Sequence, residues 1–596
     1  MLISRININD IDTTHCRVVL DKAGRVVDGV NHGRQVLHDE EKDLYYKIFD
    51  DDYCRRENFE RALRLGFFDG LAPALHSVIV HPELNDEIVG YATEAGTPLG
   101  TEFDDILKEL RFYERVLSKA KETKMFFYDL VASNIIRTKD GELSLIDLES
   151  VYNLDELYTI SKHSAKVKPD YYFTELEKLW KENMKVISFI QPSRNNLKYL
   201  KWSYNSIRKN LGYRHEICWA DDFSDDGTWE WMQEIAEKDI NVKIHRNEGP
   251  TRLGHTILYD TLVDMATNDI IMIYHADMYA CPNMDVEVLK HLERGKVVSA
   301  TRIEPPLHPD GPEKILKDFG IEPEEFKEDK LLELVDEIQS GVGILYGPLA
   351  LNHETTQGIF APWAIYKDDF LAIGGHDPLY APQSKEDSDI FNRFILAGYE
   401  TIQTWKGLVY HMTCRGSRFK DGAMRNPAGQ VFMKGRESSE WLAQNLRSTR
   451  NFIRKWGHMV KHDEYLKPII PPKYDIGFVV ENCDTNMLKE LEPWCSDIYG
   501  DWVGHKGYGV NNYIEDEQKD TQFNLSKKIH SQHIEPKNNI VVRFDAGKLT
   551  SQNFQILVNL SEILQDSGEI GIMQLEIFEL DIKSLDTYEK DLILVK

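Results

Sequence analysis

The chain has 596 residues, of which 42% are hydrophobic and 29% charged; this is the composition of folded domains, and the length predicts three or four of about 150 residues each. The formal charge of −28 excludes a general binder of polyanions, so duplex nucleic acid is not an expected partner. Because the cysteines form no CxxC pair, the N-terminus lacks a signal-peptide pattern and no run of about 18 apolar residues occurs, we expect a cytoplasmic protein without a transmembrane segment.

The first predicted domain spans residues 1–180 and mixes short strands with helix. Strand-like runs occur at 45–49, 77–80 and 143–146, around a helical stretch at 102–121. A polar, helix-like segment at 171–182 closes the block. This pattern predicts an α+β domain.

Three polar residues of this domain, Asp129, Asn134 and Asp147, follow one another at a spacing typical of a phosphotransfer site. They resemble the catalytic loop and the metal-binding Asp of protein-kinase-like and aminoglycoside-phosphotransferase-like folds. The resemblance implies that Asp129 orients an acceptor hydroxyl, while Asn134 and Asp147 hold Mg²⁺ on ATP.

The run at 45–49 resembles the kinase strand that carries the phosphate-binding lysine, here Lys47, with Glu57 or Glu60 as its helix partner. No GxGxxG loop precedes Lys47, and Tyr128 before Asp129 departs from the family pattern. Active phosphotransfer and a scaffold or pseudokinase role therefore both stay open.

The second predicted domain spans residues 181–460. Strands are expected at 185–190, 216–220, 269–275 and 297–303, at spacings that leave room for crossover helices. The pattern predicts an α/β domain with a largely parallel sheet, in which ligands bind beyond the carboxyl ends of the strands.

An acidic segment, WADDFSDDGT at 219–228, follows the second of these strands. It resembles the VDDGSxDGT segment of family 2 glycosyltransferases of the GT-A type, which have a Rossmann-like fold. The resemblance implies that Asp221 or Asp222 binds the base or sugar edge of a nucleotide-sugar donor, and that the first strand's end lines the base or ribose with Pro192, Ser193 and Arg194. The same residues also form a good turn and helix N-cap, so that alternative stays open.

The third strand runs directly into His275-Ala-Asp277. The family has a DxD metal motif here, so Asp277 is the implied ligand of Mn²⁺ or Mg²⁺, while His275 departs from the pattern and faces either ribose or metal. His411, at the end of a later strand, resembles the histidine that completes the metal shell in several GT-A enzymes. The alternative for Asp277 is a cap on the next turn.

Lys385-Glu-Asp-Ser-Asp389 resembles the ED motif of the family. It implies that Asp387 is the catalytic base and that Glu386 and Asp389 support the site or bind the acceptor. The segment at 358–365, which contains Trp363, resembles the acceptor-side loop. Acidic residues also favour helix starts for dipole reasons alone.

A basic segment follows His411. Between residues 412 and 436 there are six cations and one acid, Asp421. The charge of this segment is therefore positive, whereas that of the whole chain is negative. Such a segment suits the departing diphosphate of the donor, and we expect Arg415 and Arg418 to bind it.

The third predicted domain, residues 461–596, follows a proline-rich break at 469–473. Strands are expected at 476–480, 539–544 and 569–578, with a helix at 551–565. This pattern predicts a small C-terminal α/β domain, for which the sequence indicates no role.

Together these features predict an α/β multidomain, metal-dependent glycosyltransferase, using a nucleotide sugar and a glycan or other hydroxyl acceptor, with inversion favoured by the resemblance. The alternative is a non-catalytic glycan- or nucleotide-binding scaffold with a pseudokinase domain. The sequence specifies neither donor nor acceptor nor oligomeric state.

Overall fold

The computed structural model describes residues 3–11, 16–18, 36–49, 53–99, 106–127, 134–146, 148, 151–153, 185–211, 214–340, 353–413, 422–433, 438–502 and 509–595. The chain divides into two compact units, Met1–Met184 and Lys185–Lys596. The further division near residue 460 stays a prediction. Among the described residues, no helix is both long and apolar enough to cross a lipid bilayer.

In its described residues, the first unit has two α-helices and three sheets. Its elements are β1 (Ser4–Asn7), β2 (Cys16–Val18), β3 (Leu37–Asp39), β4 (Leu44–Ile48), α1 (Tyr53–Arg64), β5 (Leu75–His81), β6 (Glu87–Glu94), β7 (Gly96–Pro98), α2 (Ile106–Thr123), β8 (Met125–Phe127), β9 (Ile135–Thr138), β10 (Leu143–Leu145) and β11 (Val151–Asn153).

The largest sheet of this unit has the strand order β1-β5-β6-β4-β3-β2, while β10-β9-β7 and β11-β8 form the other two. One core joins them, because Phe59 of α1 and Phe112 of α2 are buried with Val78 and Leu145. Strands were expected at the positions of β4, β5 and β10, and a helix at that of α2. The helix expected at 171–182 lies outside the described residues.

The second unit begins with alternating strands and helices. Its first part comprises β12 (Ile187–Ser193), α3 (Leu197–Asn210), β13 (Glu216–Asp222), α4 (Thr228–Lys238), β14 (Val242–Asn247), α5 (Gly254–Met265), β15 (Ile270–Ile273), β16 (Met278–Ala280), α6 (Met284–Leu289), β17 (Lys296–Glu304), β18 (Lys314–Leu316), α7 (Glu328–Ser340), β19 (Thr355–Thr356), β20 (Trp363–Tyr366), α8 (Lys367–Ala372), α9 (Glu386–Leu396), β21 (Glu400–His411), β22 (Ala423–Arg425), β23 (Val431–Met433) and α10 (Ser439–Trp456).

Ten of these strands form one sheet, with the main order β14-β13-β12-β15-β20-β17-β21-β16. The first four are parallel, β20 runs against β15 and β17, and β16 runs against β21. Helices cover both faces: Leu200 of α3 and Met232 of α4 belong to the core on one side, and Leu258 of α5 and Phe394 of α9 to the core on the other. Parallel strands buried on both faces place their carboxyl ends along one edge, where ligands bind.

The last part of the chain forms a second α/β layer. It comprises β24 (Ile476–Glu481), α11 (Thr485–Leu491), β25 (Asp497–Gly500), α12 (Val510–Glu517), α13 (Leu525–Lys528), β26 (Ile529–Ser531), β27 (Ile540–Asp545), α14 (Phe554–Val558), α15 (Leu560–Ser567), β28 (Gly571–Leu575) and β29 (Phe578–Ile582), in a sheet of order β26-β25-β24-β27-β29-β28.

Two expectations for this part were wrong in detail. The single strand expected at 569–578 is a hairpin, because Glu576 has φ 48° and turns the chain between β28 and β29. The single helix expected at 551–565 is broken at Asn559, between α14 and α15.

Candidate functional site

The carboxyl ends of β12, β13 and β14 meet at one edge of the large sheet. Ser193 lies beside Asp221 in the parallel register, and Asp221 lies beside Arg246. Asp222 is occupied with protein contacts, since it accepts hydrogen bonds from Leu253 N at 3.0 Å and Gly254 N at 2.8 Å. Asp222 therefore anchors the loop that leads into α5.

Asp221 has a different environment. It is fully buried, its Oδ2 accepts a hydrogen bond from Ser224 N at 3.4 Å, and its Oδ1 has no hydrogen-bond partner in the described part of the chain. Burial raises the pKa of this carboxyl above its usual value. Further buried polar atoms without such a partner among the described residues lie at or beside this edge: Ser193 Oγ, Arg194 Nε, Arg246 Nε and Arg252 Nε. Unsatisfied buried donors and acceptors gathered in one place indicate a polar ligand.

Beyond β15, three side chains form a candidate metal site. One ligand atom each from His275, Asp277 and His411 lies within 4.8 Å of the others. Asp277 follows the apolar strand β15, and His411 ends β21, which pairs with β16 so that His411 lies opposite Met278. Nitrogen and carboxylate donors on three sides fit a divalent ion that keeps further positions open for a ligand.

The charge around His411 favours a cation. Burial opposes a positive charge there, yet the carboxylates of Asp277 and Glu304 raise the pKa of His411 to about 9. Burial and the proximity of His411 instead lower the pKa of His275 to about 3, which keeps that imidazole in its neutral, ligand form.

Glu304, which the sequence reasoning missed, orients His411. Its Oε1 lies 2.7 Å from His411 Nδ1, which leaves Nε2 to face Asp277 Oδ1 at 3.3 Å. A carboxylate behind a ligating histidine fixes the tautomer and the ring orientation. The signal was present, since Glu304 ends the strand β17 as Asp277 follows β15.

The ED pair begins α9 and lies next to a strained turn. Ser384 and Lys385, which directly precede it, have φ of 82° and 73°, in the left-handed region that residues other than glycine seldom adopt. Glu386 is buried and its Oε1 lies 2.6 Å from Nε2 of His255, a residue that the sequence gave no reason to select. Burial opposes ionisation of Glu386, but His255 lowers its pKa below the usual value.

Asp387 is half-buried, and its pKa is shifted in the opposite direction from that of Glu386. Burial, together with the negative charge of Glu386, raises the pKa of Asp387 to about 6. Two neighbouring carboxyls whose environments separate their pKa values take different roles, and the one with the raised pKa suits a proton acceptor near neutral pH.

Helix α10 holds the strained turn in place. It begins with Ser438 as a side-chain cap and ends at Gly457, whose φ is 81°. Asn445 Oδ1 accepts hydrogen bonds from Ser384 Oγ at 2.6 Å and from Lys385 Nζ at 3.2 Å. The helix therefore supports the backbone that aims the ED pair.

Asp389 is buried and structural. Its carboxylate contacts Arg393 Nε at 2.8 Å, Lys455 Nζ at 2.7 Å and Trp456 Nε1 at 2.9 Å. These contacts fasten α9 to α10.

Replacing Asp389 by Ala should lower the free energy of unfolding by about 3–5 kcal/mol, because it leaves the buried Arg393 without a carboxylate and Lys455 with that of Asp377 alone. Asp387→Ala is the matched control, and at its half-buried position we expect a much smaller loss. Denaturant unfolding of the two variants measures both. Equal losses would contradict the structural role of Asp389.

One cavity of about 580 Å³ lies against part of the metal site and the ED pair, without Asp277, Ser193 or Asp221 in its lining, and we call it the central cavity. Its size is that of a small-molecule site. It is lined by residues of the metal site, of its orienting carboxylate and of the ED pair: His275, His411, Glu304, Glu386, Asp387 and His255.

Three sequence expectations need a different account. Trp363 is fully buried in β20 between β15 and β17, so it packs in the core instead of meeting an acceptor. Arg425, from the basic segment, is held by Asp318 and Glu325 through contacts of 2.7 and 2.9 Å. Arg415 and Arg418 lie outside the described residues.

In the first unit, the β9–β10 hairpin places Asn134 beside the residue that precedes Asp147, since Ile146 N donates a hydrogen bond to Asn134 O at 2.9 Å. Lys47 lies on β4, between β6 and β3, and Glu57 is an exposed residue of α1. Asp129 and Asp147 themselves lie outside the described residues.

Residues 188–351 match the profile of the family described as Glycosyl transferase family 2. The matched segment contains Asp221, His275 and Asp277 and ends before Asp387 and His411. No curated protein matches the chain at a significant level.

Solved structures give weak matches. The chain is similar to GalNAc-T7 with UDP, GalNAc and Mn²⁺ (15% identity, TM-score 0.29), to the mannosyltransferase PcManGT from Pyrobaculum calidifontis in complex with GDP-Man and Mn²⁺ (15%, 0.28), and to S. aureus TarS (14%, 0.27). Each match covers 39% of this chain. The chain spans 43%, 59% and 37% of those three chains, respectively.

Proposed function

Since residues 188–351 form a glycosyltransferase family 2 domain, we propose that the chain is a metal-dependent glycosyltransferase that moves a sugar from a nucleotide-diphosphate sugar to a hydroxyl acceptor. The observation that carries the proposal is that one cavity is lined both by His275 and His411 of the metal cluster and by Asp387, whose raised pKa suits a base.

The donor is assigned to the edge formed by β12, β13 and β14. Asp221 Oδ1 and Ser193 Oγ are the free polar atoms for the base or ribose, with Pro192 and Arg194 beside them. His275, Asp277 and His411 would hold the ion, which neutralises the charge of the diphosphate as it departs. Arg415 and Arg418 are assigned to the same diphosphate.

Asp387 is assigned the role of the base that takes the proton of the acceptor hydroxyl. As the acceptor oxygen forms its bond to the anomeric carbon, the bond to the diphosphate breaks and the hydroxyl proton passes to the carboxylate of Asp387. A single displacement of this kind inverts the anomeric configuration. Glu386, already paired with His255, stays ionised and supports the acceptor.

The test is a panel of nucleotide sugars offered to the full chain with Mn²⁺, with Mg²⁺ and without metal, followed by the release of nucleoside diphosphate. Metal-dependent release from at least one donor supports the proposal. No release from any donor, under conditions where the protein is folded, would contradict it.

The cytoplasm is the proposed compartment. Cys218, Cys281, Cys483 and Cys495 are buried and form no disulfide within the described residues. Four buried thiols fit a reducing environment.

We infer a second, kinase-like site in the unit 1–184. What supports it is the strand order β5-β6-β4-β3-β2 with α1 inserted between β4 and β5, which puts Lys47 on a central strand, together with the hairpin that brings Asn134 next to residue 146. Lys47 would contact ATP, with Glu57 or Glu60 as its helix partner. Asn134 and Asp147 would hold Mg²⁺, and Asp129 would orient the acceptor.

Calorimetry of ATP with the full chain tests this second site. We expect binding that strengthens with Mg²⁺, because two of the assigned residues are metal ligands, and Asp147→Ala should remove the Mg²⁺-dependent part. Asp277→Ala is the control, since it alters only the other unit. If the chain binds no ATP at millimolar concentration, the first unit is a scaffold.

A further inference from the structure

Two side chains in the wall of the central cavity carry polar atoms that have no hydrogen-bond partner among the described residues. Asn392, on α9, is 3% exposed, and its amide nitrogen makes no hydrogen bond to any described residue. Glu386 is 5% exposed; His255 contacts its Oε1, whereas its Oε2 has no partner in the described ranges. A buried polar atom left unsatisfied is destabilising, so both atoms indicate a ligand.

These residues lie on α9 with the proposed base, Asp387. Asp387, Ser388, Phe391 and Asn392 all line the cavity; Phe391 lies one helical turn after Asp387, and Asn392 one turn after Ser388. A molecule that fills the cavity and presents a hydroxyl to Asp387 therefore has Asn392 in the same cavity wall.

The two atoms define the chemistry of that molecule. An amide nitrogen donates a hydrogen bond and a carboxylate oxygen accepts one. A hydroxyl group can accept from the first and donate to the second. A phosphate oxygen accepts from Asn392, but a fully ionised phosphate has no proton to donate to Oε2 of Glu386. An alcohol whose single hydroxyl faces Asp387 would leave Asn392 unsatisfied.

Part of the cavity wall is apolar and aromatic. Phe391, Trp441, Leu466 and Pro468 line the same cavity. Flat aromatic and apolar surfaces beside a few polar groups suit a ring whose edges carry hydroxyls and whose faces carry C–H groups. A pyranose ring has both.

We infer that Asn392 and the Oε2 atom of Glu386 form a saccharide subsite that binds hydroxyls next to the one facing Asp387, with Trp441 and Pro468 beside the ring. The inference rests on the proposed transferase function, whose acceptor it narrows from any hydroxyl compound to a sugar ring. Asn392 is then a residue that determines acceptor specificity.

Saturation-transfer NMR on the full chain with UDP or GDP and Mn²⁺ tests the subsite. The probes are the methyl α- and β-pyranosides of glucose, galactose and mannose, compared with cyclohexylmethanol, which has the ring but lacks the ring hydroxyls. We expect at least one glycoside to bind at millimolar concentration and cyclohexylmethanol to bind at least about tenfold more weakly, as the loss of one buried hydrogen bond implies.

Asn392→Leu keeps the approximate size of the side chain and removes the amide, so the affinity for the bound glycoside should fall about tenfold or more. Asn392→Asp, which removes the donor without adding an apolar group, should have the same effect if the leucine variant does not fold. Equal binding of cyclohexylmethanol, no glycoside signal, or unchanged affinity in a folded variant would each overturn the subsite. Failure of the transferase proposal would look different, because glycoside binding sensitive to Asn392 would persist without turnover of any nucleotide sugar.

Discussion

Asp387→Asn should lower sugar transfer by roughly 10²-fold or more while leaving donor binding largely unchanged. The amide has nearly the shape of the carboxylate, so the cavity keeps its form and loses only the group that takes the proton. Turnover with the donor and acceptor at saturation, compared with nucleotide affinity from calorimetry, separates the two effects.

The pH dependence gives a second view of the same residue. A base must be deprotonated, and burial beside Glu386 raises the pKa of Asp387 to about 6, so transfer should fall as the pH drops through that value and level off above it. Asp387→Asn should remove this acid limb from its residual activity. Ser388→Ala, at the adjacent cavity position, is the control that should keep it. Unchanged turnover in Asp387→Asn would reassign the residue to a helix cap.

The sequence predicted the edge of the sheet where the site lies, because this prediction depends on the order of the strands and not on contacts between side chains. Polar residues that follow successive parallel strands meet at one edge, so Asp221, Asp277 and the strand that ends at Ser193 were expected there. It did not separate Asp221 from Asp222. Neighbouring residues on a strand point to opposite faces. Only the contacts of Asp222 with the loop show that Asp222 is structural and that Asp221 is the better candidate for binding a ligand.

Contacts between residues far apart in the sequence could not be predicted from the spacing of motifs. His255 meets Glu386 across 131 positions, and Asn445 meets Ser384 across 61. The expectation that Trp363 lies at the acceptor side was wrong for a related reason. The loop resemblance placed it at the acceptor side, but its strand pairs between β15 and β17, and a central strand buries its side chains in the core.

EDTA should abolish turnover of the donor, and Mn²⁺ or Mg²⁺ should restore it, because the diphosphate departs with charge that the ion neutralises. Asp277→Ala should abolish activity at any practical metal concentration, since it removes the carboxylate of the cluster. The variant should stay folded, because Asp277 lies between β15 and β16 and its carboxylate contributes little to the core. Full activity in EDTA would exclude a metal-dependent reaction.

Glu304→Gln provides the finer test of the same site, because Glu304 contacts His411 and is not itself a member of the cluster. Removing the charge behind a ligating histidine should weaken Mn²⁺ binding by about 10–100-fold. Electron paramagnetic resonance of free Mn²⁺ measures that affinity without any substrate. The matched control is Glu313→Gln, since Glu313 also lines the cavity but its ion pairs are with Arg302 and Lys314, at 2.9 and 3.2 Å. If both variants bind Mn²⁺ equally well, Glu304 does not orient a metal ligand, and its bond to His411 only stabilises the fold.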